Sequence, residues 1–214
     1  MKNELESARK IKSRDMKEKI FKTTNRLMNR YGNEYLTVRN ICKMANISTG
    51  TFYHHFKNKD ELLSHYVSKC YQRYKKENMN LWKELSAQYR IVHLLTWMAK
   101  YFMEMGLGFV SNYYSCKNSV LNVRNLDSLA EAHIEIINDI ISQLETAYKE
   151  GMINSELDAK DIYNELNIVF FGTVFDWCLC LGNHDLAKMI NRMLTIHLNF
   201  YLTDDYKMKI GSYL

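Results

Sequence analysis

The chain has 214 residues, 47% hydrophobic and 25% charged, with 8 Gly and no Pro. That composition excludes a disordered, collagen-like or low-complexity chain and, with so few breakers, favours helices joined by short turns. Behind a net charge of +5, residues 1–60 hold 14 Lys+Arg against 6 Asp+Glu and the remainder 15 against 18; a basic segment, either a polyanion-binding module or a solvated arm, precedes a mildly acidic body.

Residues 1–14 are polar, basic and without a clear period, and read as a flexible basic arm. From Asp15 a helical stripe begins, with Met16, Ile20, Thr24, Leu27, Met28 and Tyr31 on one face. Gly32 ends it. Thr37 is an N-cap for a second helix, from Val38 to about Met44, and Asn46 tolerates the left-handed turn that closes it. Ser48 caps a third, short helix from Thr49 to about His55, and a long helix starts near Lys59 or Asp60.

Three helices of this order, with a short turn between the last two, fit a helix-turn-helix. On the third helix Phe52 and Phe56 mark the inward face, and Gly50 and His54 fall roughly opposite at about 100° per residue. Thr51 and Tyr53 lie on the flanks. The outward face is small and polar, with one imidazole and no carboxylate, as suits a surface that meets anionic DNA.

The run from Leu36 to Leu63 resembles the DNA-binding domain of the TetR (tetracycline-repressor) family. The matching features are Thr37 opening the second helix, the Ser48-x-Gly50-Thr51-Phe52-Tyr53-x-x-Phe56 recognition helix, and Lys59-Asp60-Glu61-Leu62 opening the fourth. The resemblance covers about Ile20 to Leu63. Thr24 and Cys42 stand where the family usually has alanine, and Asn46 where it has glycine; small side chains still pack, and Asn accepts the left-handed conformation.

Roles for these residues follow from helix chemistry and from the resemblance. Thr37 and Ser48 sit at helix N-termini, where unpaired N–H groups and the dipole favour a phosphate. Tyr53 offers its hydroxyl to a phosphate and Lys59 supplies a second anchor; the resemblance implies that these four are backbone contacts. Arg39 is a candidate for a base edge or a phosphate. Thr49, Thr51 and His54 face the groove, where a Thr methyl packs on thymine and His bonds guanine or phosphate. Gly50 lets the backbone approach closely. Phe52, Phe56 and Ile41 are assigned to the core.

Further along, helical patterns run from Asp60 to about Leu85, Ile91 to about Met105, Asp127 to Lys149, Asp158 to Leu181, and Asp185 to Leu202. Gly106 and Gly108 break the second of these, and Phe109 to Asn125 reads as a short helix and loop. The expected fold is therefore all-α: a head over 15–59 and a larger helical regulatory, ligand-binding and dimerisation domain over 60–214. Ile168 to Phe175 is apolar nearly all round, which suggests one face on its own core and one on a partner. Two consecutive apolar helices at the C-terminus suit a four-helix dimer interface.

Residues 147–186 also resemble the regulatory half of many TetR-family members, which implies a small-molecule pocket among the central helices. The candidate walls are Trp97, Tyr101, Met105, Phe109, Tyr113, His133, Ile137, Phe170, Val174 and Trp177. Abundant Met and aromatic residues favour an apolar or aromatic effector with few polar handles. His133 and His197 read as satisfied core or seam histidines, and His184 as loop.

No phosphate loop, H-E-x-x-H or nucleophile motif is present, so no catalytic residue and no cofactor is expected. Five cysteines, Cys42, Cys70, Cys116, Cys178 and Cys180, form no C-x-x-C pair. They indicate neither a disulfide framework nor a zinc site, and buried thiols are expected. The start of the chain is charged, unlike a secretory signal, and the most apolar stretch, Ile168–Leu181, is shorter than the roughly 20 residues of a membrane span. The expected protein is cytoplasmic: a homodimeric repressor that an effector releases from a palindromic operator. The same head also suits an activator or co-activator, and a helical adaptor without DNA binding is the alternative of another class.

Overall fold

A computed structural model describes residues 2–32, 35–115 and 131–210. Among them are nine α-helices and no strand: α1 (Lys2–Tyr31), α2 (Val38–Ala45), α3 (Thr49–His55), α4 (Lys59–Glu84), α5 (Ala87–Met105), α6 (Leu107–Tyr113), α7 (Glu131–Lys149), α8 (Ala159–Leu179) and α9 (Leu186–Tyr201). The all-α expectation holds.

The first correction concerns the arm. Residues expected to be flexible are helical, and α1 runs without a break from Lys2. Residues 2–14 contain no Gly or Pro and are rich in Lys, Glu and Arg, which propagate a helix even where no apolar stripe guides the eye. The second concerns Gly108, which lies inside α6; only Gly106, at φ 86°, interrupts the chain between α5 and α6. Residues 116–130, including Cys116, lie outside the described set.

α1, α2 and α3 form the head. Ile20, Leu27 and Met28 of α1 pack with Leu36, Ile41, Phe52 and Phe56, all nearly inaccessible to solvent. Thr24 is buried too, and its hydroxyl donates to the Ile20 carbonyl at 2.9 Å, which satisfies that hydroxyl inside the head. The head sits on α4 and α6. Tyr66 of α4 stacks on Phe21 of α1 and donates its hydroxyl to the Phe21 carbonyl at 2.6 Å; its ring also lies 4.9 Å from that of Phe109 in α6. Lys69 pairs with Glu18 beside it.

In the body, α9 packs on α5 and α8, and α7 on α4, α5 and α8. Leu186, Ile190, Leu194 and Leu198 form the inward face of α9, and Ile162, Leu166, Phe170, Val174 and Trp177 that of α8. Met193 and Phe200 of α9 are exposed, Phe200 at 82%. Ile168, Phe175 and Leu179 of α8 are exposed apolar residues as well. His197 is held within the chain, 3.2 Å from Glu165 of α8, and Tyr201 donates to the same carboxylate.

Candidate nucleic-acid interface and effector cavity

Local geometry makes the head a helix-turn-helix. The Thr37 hydroxyl accepts from the Asn40 N–H at 3.2 Å and starts α2. Asn46 closes α2 at φ 50°, the left-handed conformation that Asn adopts at small cost. Two residues on, the Ser48 side chain accepts from the Thr51 N–H at 3.0 Å and starts α3, with the Thr51 hydroxyl 2.9 Å away. Asn58 caps α4 in the same manner, accepting from the Glu61 N–H at 2.8 Å. Capping of this kind stabilises each helix by about 1 kcal/mol and sets the angle between successive helices.

Most of the nine candidate DNA-contact residues are open to solvent. Thr37, Arg39, Ser48, Thr49, Gly50, Tyr53 and His54 are exposed, Tyr53 at 57%, while Thr51 is half-buried under Ser48. Tyr53 sets its ring edge-on to Phe52, 5.6 Å between centroids. Around Gly50 an added Cβ would meet only Ser48 Oγ at 3.7 Å. Nothing inside the chain requires glycine there. Lys59 is half-buried, and its ammonium reaches Asn112 of α6 at 3.4 Å. It therefore joins head and body.

Sequence reasoning missed one part of this surface. An open groove between α1 and α3 is lined by Arg9, Lys10, Lys12, Ser13, Met16, His54 and His55. With this stretch helical, Arg9, Lys10 and Lys12 lie beside α3. The charge asymmetry signalled this, but the helical register that aims it did not show without an apolar stripe.

A second site lies in the body. A cavity of about 60 Å³ is bounded by Val67 of α4, Leu95 and Met98 of α5, Tyr114 at the end of α6, His133, Ile136, Ile137 and Ile140 of α7, and Tyr163, Leu166, Asn167, Phe170 and Phe171 of α8. Of the ten residues expected at such a wall, His133, Ile137 and Phe170 line it. Trp97 and Tyr101 stack on each other at 6.2 Å, and Trp97 turns to Tyr74 and Arg73 of α4 instead. Met105, Phe109 and Tyr113 are core residues, and Val174 and Trp177 belong to the buried face of α8. The spacing that marks an inward face cannot distinguish a residue that meets another helix from one that meets a void.

Few polar groups reach this cavity. Tyr113 hydrogen-bonds His133 Nε2, while His133 Nδ1 is buried and has no hydrogen-bond partner. Burial lowers the His133 pKa to about 4, so its ring is neutral at physiological pH. Burial pushes the Tyr114 hydroxyl far above its ordinary range, so it too stays neutral. The wall is apolar with neutral hydrogen-bonding handles.

Comparison with known proteins agrees with this architecture. Residues 20–66 match the model of "Bacterial regulatory proteins, tetR family". An HTH-type transcriptional regulator of Haemophilus influenzae is 34% identical over 101 residues, 46% of this chain and 52% of that protein, so the match spans about half of its length. The HTH-type transcriptional regulator QacR of Staphylococcus aureus is 24% identical over 155 residues, covering 69% of this chain and 77% of QacR. The crystal structure of Thermus thermophilus FadR, a TetR-family repressor in complex with lauroyl-CoA, superposes with a TM-score of 0.66 at 19% identity and covers 91% of this chain and 100% of that one. The capped helix-turn-helix head thus matches the tetR-family model over residues 20–66, and the all-helical frame around it is the fold of the Thermus repressor.

Proposed function

We propose that this protein is a homodimeric repressor that leaves its operator when a small, mostly apolar effector enters the body cavity. One observation carries the reading. α4 contributes Val67 to the cavity wall and, along the same rigid helix, Tyr66 and Lys59 to the contacts with α1 and α6. Any displacement of α4 at the cavity therefore moves the head.

The proposed contact surface is Thr37, Arg39, Ser48, Thr49, Gly50, Thr51, Tyr53, His54 and Lys59, joined by the basic groove of α1. Helix N-termini and cations hold phosphates, and the outward side of α3 enters the major groove. Residues 15–59 act as the head and 60–214 as the regulatory and dimerisation domain. The exposed apolar surface of α8 and α9 pairs with its copy, which sets two recognition helices about one DNA turn apart.

The size of the cavity bears on how a switch works. At about 60 Å³ it is well below the roughly 300–1,000 Å³ of ordinary ligand pockets. An effector enters only by spreading the helices around it, so it binds the spread state better than the closed one. Such a difference in affinity is what shifts a two-state equilibrium. The Thermus protein of like fold is in complex with lauroyl-CoA, and the apolar wall here suits a ligand of apolar character.

Fluorescence anisotropy with DNA from upstream of its own gene, against scrambled DNA across a salt series, tests the proposal. Specific binding that survives rising salt, with a log–log slope of about −0.9 per phosphate contacted, is expected. Equal affinity for both DNAs, or none from a folded dimer, overturns it.

A further inference from the structure

Outside the head and the cavity, the structure gathers three metal-ligating side chains at one turn. Asp176, Cys180 and His184 each offer a ligand atom, and these atoms lie within 4.8 Å of one another. Asp176 lies in the last turn of α8 and Cys180, four residues on, is its C-cap, so the two project from about the same side. His184 arrives from beyond the helix end because the chain reverses: Leu181 has φ 53° and Gly182 φ 73°. A left-handed conformation at a bulky residue such as Leu181 is held only where its surroundings over-determine it.

Several contacts fix the turn. The Gly182 N–H donates to the Trp177 carbonyl at 2.9 Å, and the Asn183 N–H to the Cys180 carbonyl at 3.1 Å. The Trp177 indole N–H donates to the His184 carbonyl at 2.8 Å. Gly182 lies flat on the same indole, where an added Cβ would come within 3.2 Å of the ring. His184 is thus anchored by its backbone, and its side chain folds back over α8.

An independent observation at the imidazole points to a ligand. His184 Nε2 is buried and has no hydrogen-bond partner. The nearest carboxylate oxygen, from Asp176, is 3.9 Å away, too far for a hydrogen bond. An orphaned buried nitrogen leaves its desolvation uncompensated. Two nitrogen or oxygen ligands of one tetrahedral ion stand about 3.4 Å apart at bond lengths of about 2.0–2.1 Å. Small side-chain rotations of the exposed Asp176 and Cys180 close the difference.

We propose that Asp176, Cys180 and His184 bind one divalent transition-metal ion, with zinc the best fit. A thiolate with an imidazole disfavours calcium and magnesium, and the carboxylate completes a mixed set that zinc accepts. Cys180 loses its thiol proton to the solvent as the metal–sulfur bond forms, His184 binds through Nε2 in its neutral form, and a water takes the fourth position. The ion would tie the end of α8 to the segment that opens α9, beside Phe175 and Leu179 of the exposed apolar surface.

The test uses the full chain, reduced and stripped with chelator, with cobalt(II) as the spectroscopic probe and zinc as competitor. One cobalt per chain is expected, with thiolate-to-cobalt charge-transfer absorption that zinc abolishes. Zinc should also raise the melting temperature, because it binds only the folded turn. Cys180→Ser should remove the charge-transfer band while the helical circular dichroism stays unchanged, and Asp176→Asn and His184→Gln should each weaken zinc binding about tenfold or more. Cys178→Ser should leave all of this intact. Absence of the band in the wild-type chain, its persistence in Cys180→Ser, or zinc affinity unchanged in His184→Gln overturns the site.

Discussion

Gly50 is the residue at which stability and function separate most cleanly. It lies within α3, exposed, with room for a Cβ. Alanine there should raise helix stability by up to about 1 kcal/mol. The added methyl would nonetheless stand where the proposed DNA surface approaches, so Gly50→Ala is expected to keep or raise the urea midpoint while operator affinity falls tenfold or more. A parallel loss of both would place Gly50 in the fold instead. Tyr53→Phe is expected to weaken operator binding through loss of one phosphate contact, with the chain still dimeric by sedimentation.

His133 supplies a pH dependence. Its pKa falls from 6.5 to about 4 because burial disfavours the charged ring. Between those values the unfolded chain binds more protons than the folded one, so stability is complete above pH 6.5 and declines as pH falls towards 4. The shift corresponds to about 3 kcal/mol. His65 and His93 are lowered by burial as well and act in the same direction. Chemical denaturation at pH 7 and pH 4.5 should show the loss, and His133→Asn should reduce it. An equal pH slope in the variant would mean that the other histidines carry it.

Among the elements, α8 shows most plainly how an apolar pattern divides. Its inward residues, Leu166, Phe170, Val174 and Trp177, are buried, while Ile168, Phe175 and Leu179 face outward. Each such side chain buried against a partner contributes roughly 1.5–3 kcal/mol, so a few of them decide association. Phe175→Glu with Leu179→Glu is therefore expected to give a folded monomer in analytical ultracentrifugation, with unchanged helical circular dichroism and much weaker operator binding. A dimer that survives the double substitution would move the interface elsewhere. By contrast, α1 carries its meaning in charge: a helix without an apolar stripe over its first turns places cations beside α3.

At the scale of the whole molecule, the joint between head and body matters most. Tyr66 stacks on Phe21, donates to its carbonyl and touches Phe109, while Lys59 reaches Asn112. Tyr66→Phe keeps the stacking and removes one hydrogen bond of about 1 kcal/mol. Its expected effect is on coupling: operator affinity without effector stays within about threefold, and the effector releases DNA less completely. An effector response equal to that of the wild-type chain would show that the signal passes by another route.

The sequence alone was enough for the head and the helical frame, because both rest on short-range signals. Caps at Thr37, Ser48 and Asn58 act on N–H groups three residues away, Asn46 on its own dihedral, and apolar periods on one helix at a time. The helical start of α1 escaped because propensity without amphipathicity leaves no periodic trace. What the tertiary structure decided depends on neighbours distant in the chain. Whether an inward aromatic meets a void or another ring placed Phe170 at the cavity and Phe109 in the core. Which side of α8 stays uncovered was settled by where α7 and α9 pack. Asp176, Cys180 and His184 are evenly spaced in sequence, but they converge only because the chain turns back at Leu181 and Gly182.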